Sequence, residues 1–132
     1  MMDRFDCPDD SHFYSLFKPI RVIGEGAQGR VMLVEHKTTS LIYAMKRLQG
    51  TPPGDAQEVN VLCRLSHPNI TRLFGVWHSA DSLNILMEYA DGGSLADALK
   101  ERATSGRLLD EDRVADWFVQ IVSALAFMHS QS

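Results

Sequence analysis

Gly24-Glu25-Gly26-Ala27-Gln28-Gly29-Arg30-Val31 decides the fold, because the residues after the last glycine separate two kinds of phosphate loop. The octapeptide fits G-x-G-x-x-G-x-V. Glycines let a backbone approach an anion closely and turn its amides towards it. A dinucleotide fingerprint needs a helix directly after the glycines, with its N-terminus facing the pyrophosphate. Here Arg30-Val31-Met32-Leu33-Val34-Glu35-His36 comes next, with strand character, and no helix opens. The dinucleotide reading is therefore poor, and the G-x-x-x-x-G-K-[ST] phosphate loop is absent. On its own the octapeptide also fits a plain glycine-rich hairpin.

Strand patterns extend on both sides of the loop. Ile20–Ile23 precedes it, Lys37-Thr38-Thr39-Ser40 is a polar turn, and Leu41–Leu48 resumes the strand pattern. Gly50-Thr51-Pro52-Pro53-Gly54 breaks the chain, and Asp55 is placed to cap a helix running to about Leu65. Val59, Leu62 and Leu65 give that helix one apolar face, and Pro68 ends the stretch. Ile70–His78 and Leu83–Tyr89 read as two further strands. Beyond Asp91-Gly92-Gly93, Ser94 caps a short predicted helix to about Arg102, and Asp110 opens a long one. In the long helix Val114, Phe118, Ile121, Leu125 and Met128 recur at steps of 4, 3, 4 and 3, flanked by Trp117, Val122 and Phe127. A helix apolar over so much of its girth is normally buried. Residues 1–16 show no clear period and are expected to form a mobile or loosely docked arm.

Lys46 lies in the apolar run Tyr43-Ala44-Met45-Lys46, 17 residues after Gly29. A lysine inside a strand is costly unless its ammonium meets an anion or escapes to solvent. Glu58, on the predicted helix, offers a partner that would leave Lys46 between a carboxylate and bound phosphates. Taken singly, Glu58 reads as a solvated helix-face residue. Loop, strand lysine and helix carboxylate together are far more specific than any one of them.

Composition narrows the function classes. With 13 Lys+Arg against 17 Asp+Glu the net charge is -4, which argues against sequence-independent nucleic-acid binding. Cys7 and Cys63 lack metal-type spacing and suit a reducing compartment. No apolar run approaches the roughly 18 residues of a membrane span, and the N-terminus lacks a basic-then-apolar leader pattern. An intracellular, cytoplasmic address is expected, with the nucleus left open.

The elements together resemble the N-terminal lobe of a eukaryotic protein kinase. Gly24–Val31, Ala44-Met45-Lys46, Glu58, His67-Pro68-Asn69-Ile70 and Met87–Leu95 stand in the family's order across residues 17–132. The Met87–Leu95 phrase is most similar to serine/threonine kinases of the NIMA-related or MAP-kinase-kinase-kinase type. The resemblance implies an α+β fold: a five-stranded antiparallel sheet with one helix over residues 17–90, then the first two helices of a C-lobe over 91–132. It implies ATP as ligand, with Ile23 and Val31 over the adenine, Ala44 beneath it and Met87 as gatekeeper. The Glu88 carbonyl and Ala90 amide would bond the adenine edge. Gly24, Glu25, Gly26, Ala27, Gln28 and Gly29 would cover the phosphates. Lys46, paired with Glu58, would hold the α- and β-phosphates. Leu62 and Leu73 match two members of the regulatory hydrophobic column.

Two features depart from the family pattern. Gln28 stands where an aromatic residue often caps the loop, and Lys46 and Glu58 are only 12 residues apart. The catalytic-loop Asp, the metal-binding Asn and the Asp of Asp-Phe-Gly do not occur before Ser132, so no catalytic or metal-ligating residue is named. His129, at the end of the last helix, is read as a capping or core residue. Mg2+ and a protein substrate are expected only in the complete domain, and the 132 residues alone are expected to be inactive. The uncovered last helix is expected to bind a partner or self-associate. The competing reading is a non-catalytic, kinase-like binding module.

Overall fold

The alternating residues on either side of the glycines do pair as a sheet. The computed structural model describes residues 6–27, 29–50, 59 and 63–131. Five strands are present among them: β1 (Phe17–Gly26), β2 (Gly29–His36), β3 (Ile42–Gln49), β4 (Leu73–Ser79) and β5 (Ser82–Glu88). All neighbours are antiparallel, in the order β1-β2-β3-β5-β4. Helices α1 (Asp10–Leu16), α2 (Leu95–Ser105) and α3 (Glu111–Ser130) complete the described elements. The helix expected from Asp55 to Leu65, with Glu58 and Leu62, lies largely outside the described residues.

The chain divides into two compact units, one holding the sheet and α1, the other holding His67–Thr71 and Ala90 onwards. In the first, register assigns each side chain to a face. Met32 stands opposite Met45, and Val31 opposite Lys46, which in turn faces Ile85. One face of the sheet thus carries Met32, Val34, Tyr43, Met45, Asn84 and Leu86, and the other carries Val31, Leu33, Ala44, Lys46, Ile85 and Met87. β1 begins three residues before the predicted start and contains Pro19. An edge strand tolerates a proline because its outer N–H groups need no ladder partner, and β1 is the edge.

The N-terminal arm differs from the loose docking expected for it. Asp9 caps α1 by accepting the His12 N–H at 2.8 Å, and the helix lies against the back of the sheet. Phe13 is fully buried, its ring stacked 4.8 Å from Phe17 and 4.6 Å from Trp77. Cys7, Phe13 and Phe17 belong to one core with Val34, Tyr43, Met45, Phe74, Trp77 and Leu86. Lys37 ties the β2–β3 turn to the arm, its ammonium donating to the Tyr14 carbonyl at 2.8 Å. Sequence periodicity could not show this, since seven helical residues with a single buried side chain make no detectable stripe.

In the second unit Ser94 caps α2 in a reciprocal box: its hydroxyl accepts the Asp97 N–H at 3.1 Å, and Asp97 accepts the Ser94 N–H at 3.0 Å. Those bonds to Ser94 hold the Asp97 carboxyl below the usual aspartate range. Gly106 ends α2 in the left-handed conformation that favours glycine there. Asp110 caps α3 as expected. The His-Pro-Asn segment lies on α3: His67 packs 5.0 Å from the Phe127 ring and contacts Ser123 at 3.3 Å, and Asn69 donates to Gln120 at 3.3 Å. The apolar stripe of α3 is open, with Phe118 66% and Ile121 51% exposed and only Ala124 of the helix buried.

Candidate functional site

Gly24, Glu25, Gly26, Ala27, Gly29, Arg30 and Val31 line an open cavity of about 510 Å³ with Lys46 and Leu48. The hairpin between β1 and β2 brings the glycines to this place, closing through the Gly26–Gly29 pair. β3 supplies Lys46 and Leu48 from the adjacent position in the sheet, since Val31 pairs with Lys46 and Gly29 with Leu48. Alternation along β3 sends Lys46 to the face opposite the aromatic core. Its side chain is exposed. Glu58 and Gln28 lie outside the described residues, and the Lys46–Glu58 pair with them.

The three glycines of the loop are not equivalent. At Gly29 φ is +153°, and a Cβ there would stand 1.8 Å from the Arg47 carbonyl oxygen. The fold itself therefore requires glycine at that position. Among the described residues, a Cβ at Gly26 would meet nothing within 4 Å, and at Gly24 it would make only ordinary contact with Val31. Neither has a left-handed backbone. Among the described residues, packing gives no reason for glycine at 24 or 26.

The remaining predicted residues spread along the same sheet. Ile23 is half-buried on β1, outside the residues that line the cavity. Ala44 is buried on β3 and paired with Leu33 and Met87, both on its own face of the sheet. Leu73, half-buried on β4, pairs with Met87 from the other side. Glu88 ends β5; its N–H donates to the Arg72 carbonyl at 2.8 Å, and its carboxylate accepts the Arg72 N–H at 3.1 Å. Ala90 is exposed and belongs to the second unit. Two residues that the motif does not single out, Arg30 and Leu48, also line the cavity. Their signal was available: both flank predicted site positions by one or two residues.

Behind the site sits a polar cluster that the sequence motifs do not announce. The Arg47 guanidinium donates to Asn84 Oδ1 at 2.6 Å and to both carboxylate oxygens of Asp10 at 3.3 Å. Trp77 Nε1 donates to Asp10 Oδ1 at 2.8 Å, and Asn84 Nδ2 to Ser79 Oγ at 2.7 Å. Asn84 is completely buried. A lone asparagine inside the apolar run Leu83-Asn84-Ile85-Leu86 was the available signal, since a buried amide demands partners.

The family described as Protein kinase domain matches residues 17–132. The chain belongs to the protein kinase family. The sheet and its helices are the kinase N-lobe fold with the start of the C-lobe. Among relatives, the serine/threonine-protein kinase Nek4 of Mus musculus is 37% identical over 85% of this chain and 15% of its own length. Nek5 of Mus musculus is 36% identical, with 87% of this chain and 18% of the relative covered. The serine/threonine-protein kinase YPK3 of Saccharomyces cerevisiae is 32% identical, with 87% of this chain and 27% of the relative covered. The kinase chain thus spans under a third of the length of each of these proteins. The Nek similarities agree with the NIMA-related side of the resemblance drawn from Met87–Leu95.

Proposed function

We propose that this chain is the ATP-binding portion of a serine/threonine protein kinase, whose complete domain transfers the γ-phosphoryl group of ATP to a protein hydroxyl. The observation that carries the reading is the pair Gly24 and Gly26. Both line the cavity that Lys46 also lines, and neither is required to be glycine by a backbone angle or by any neighbour among the described residues. Residues 17–90 form the N-lobe and 91–132 the start of the C-lobe. The loop amides would receive the phosphates, and Lys46 would contribute its positive charge beside them, paired with Glu58. Ile23, Val31 and Ala44 would hold the adenine, with Met87 as gatekeeper and the Glu88 carbonyl and Ala90 amide at its edge. Glu25, Ala27, Gln28 and Gly29 complete the loop.

ATP supplies the transferable phosphoryl group, and Mg2+ would screen its oxygens in the complete domain. No group of three or more His, Cys, Asp or Glu is arranged to hold a metal among the described residues. Neither His-Arg-Asp nor Asp-Phe-Gly occurs in the 132 residues. The chain by itself is therefore expected to hold nucleotide without turnover. No helix among the described residues is long and apolar enough to cross a membrane. A cytoplasmic address, where ATP and protein hydroxyls are both at hand, is part of the same proposal.

Titrating a fluorescent ATP analogue against wild type and Lys46→Met tests the reading. Loss of a charged hydrogen-bonding partner is worth about 1.5–3 kcal/mol, so Kd is expected to rise by about tenfold or more. Tight binding that ignores the substitution overturns the site.

The open stripe on α3 favours a second role, that of a kinase-like module that docks a partner or a second copy. Val114, Phe118, Ile121, Leu125 and Met128 are all exposed on that helix, and apolar patches of this kind mark contact surfaces. Sedimentation of the 132-residue chain over a concentration series is expected to show association that Phe118→Asp reduces. A monomer at all concentrations rejects self-association.

A further inference from the structure

The polar cluster behind the sheet joins the N-terminal arm to the strand that carries Lys46. Arg47 occupies two roles at once. Its carbonyl is the wall against which Gly29 closes the glycine loop, since a Cβ on Gly29 would stand 1.8 Å from that oxygen. Its guanidinium, on the opposite face from Lys46, is held by Asp10 and by Asn84. Among the described residues, Asp10 is the member of this cluster that comes from outside the sheet. It also satisfies Trp77 Nε1, on a residue only 3% exposed.

We propose that α1 is a positioning element for the nucleotide site, with Asp10 fixing Arg47 and Arg47 fixing both the base of the glycine loop and the direction of Lys46. The proposal rests on the ATP-binding reading. Lys46 lies on β3 next to Arg47, so the course of that strand sets where its side chain leaves the sheet. A strand residue clamped on one face restricts the twist of its neighbour on the other, because adjacent side chains share the pleat. Removing the carboxylate leaves the Arg47 guanidinium, with 20% of its side chain exposed, short of an acceptor. Arg47 then has reason to turn outward, β3 loses its anchor beside Lys46, and the wall behind Gly29 moves with it. Asp10, Arg47 and Asn84 thus act through Lys46 and the loop, without touching a ligand.

The full chain carries the test, with the fluorescent ATP analogue as probe. Asp10→Asn retains an oxygen for Trp77 but removes the charge from Arg47; Arg47→Met removes the clamp from the other side. Each is expected to raise Kd by about threefold to tenfold, the range that mutations along connected networks produce. The double variant is expected to be no worse than the weaker-binding single variant, because both break one link. Val34→Ala, a fully buried core residue outside the cluster, is expected to lower stability and leave Kd unchanged. Amide exchange without nucleotide gives a second readout: Gly29, Arg30 and Val31 exchange faster in Asp10→Asn and at the wild-type rate in Val34→Ala. If Lys46→Met weakens binding while Asp10→Asn changes neither Kd nor loop exchange, the positioning role is overturned. Additive effects in the double variant overturn it as well. If Lys46→Met has no effect, the ATP reading fails instead, and faster exchange of the loop in Asp10→Asn still upholds the link from α1 to the glycine loop.

Discussion

Phe13→Ala is expected to cost the fold about 3–5 kcal/mol, as truncation of a buried phenylalanine generally does. The ring is fully buried between Phe17 and Trp77, and its edge also meets Tyr14 with centroids 5.1 Å apart. No side chain of the sheet can move in to fill the space without giving up its own strand position. A domain of this size has roughly 5–15 kcal/mol in all, so the loss is a large fraction of it. Denaturant unfolding measures it, and a change under about 1 kcal/mol would show that α1 is not part of the core. Cys7 supplies an independent report. Burial is the largest of the causes that push its thiol up to about 11, and its Sγ donates to the Asp9 carbonyl at 3.0 Å. With the thiolate scarce at neutral pH, alkylation of wild type is expected to be slow at Cys7. In Phe13→Ala the arm loosens, the thiol returns towards its ordinary value near 8.5, and alkylation mapped by mass spectrometry speeds up at Cys7. Cys63, also buried, is the internal reference and is expected to change less.

Nothing in the residues of α1 announces that burial. Strand patterns repeat every two residues, so Arg30–His36 read as a strand, and its register sets Val31 and Leu33 on one face and Met32 and Val34 on the other. The cap of α2 at Ser94 and of α3 at Asp110 follows from local chemistry and was equally legible. Cys7, Phe13 and Phe17 share no local period; they meet only because the arm packs on one face of the sheet, and that is a tertiary fact. Pro19 hid the start of β1 for a similar reason, since whether a proline suits a strand depends on which strand is the edge. At the site, the motif G-x-G-x-x-G-x-V pointed to the loop, which lines one cavity with Lys46. It could not say which glycine the fold itself requires and which the fold leaves free for a ligand. Nor could it foresee Arg47, whose role depends on Asp10, 37 positions earlier in the chain.

Gly29→Ala separates those two kinds of glycine. The added Cβ would stand 1.8 Å from the Arg47 oxygen and 2.9 Å from its carbonyl carbon, both backbone atoms of a central strand. Neither can swing away as a side chain would. Either β2 lifts from β3 at the Gly29–Leu48 pair, or the hairpin reopens at Gly26–Gly29. Forcing a non-glycine residue into that backbone costs about 1–3 kcal/mol, and overpacking adds about 1–3 kcal/mol more. The variant is expected to lose both stability and nucleotide binding. Gly26→Ala is the comparison. A Cβ there meets nothing within 4 Å among the described residues and the backbone is not left-handed, so stability is expected to hold within about 0.5 kcal/mol. A gain is also consistent, because alanine restricts the unfolded chain more than glycine. Nucleotide binding nevertheless weakens in Gly26→Ala, since the methyl group enters the space left for phosphate. Unfolding curves and analogue titrations on the two variants make the distinction directly. A Gly29→Ala protein as stable as wild type would show that the loop does not close on Arg47. A Gly26→Ala protein that binds normally would remove the reason for reading the cavity as a phosphate cradle.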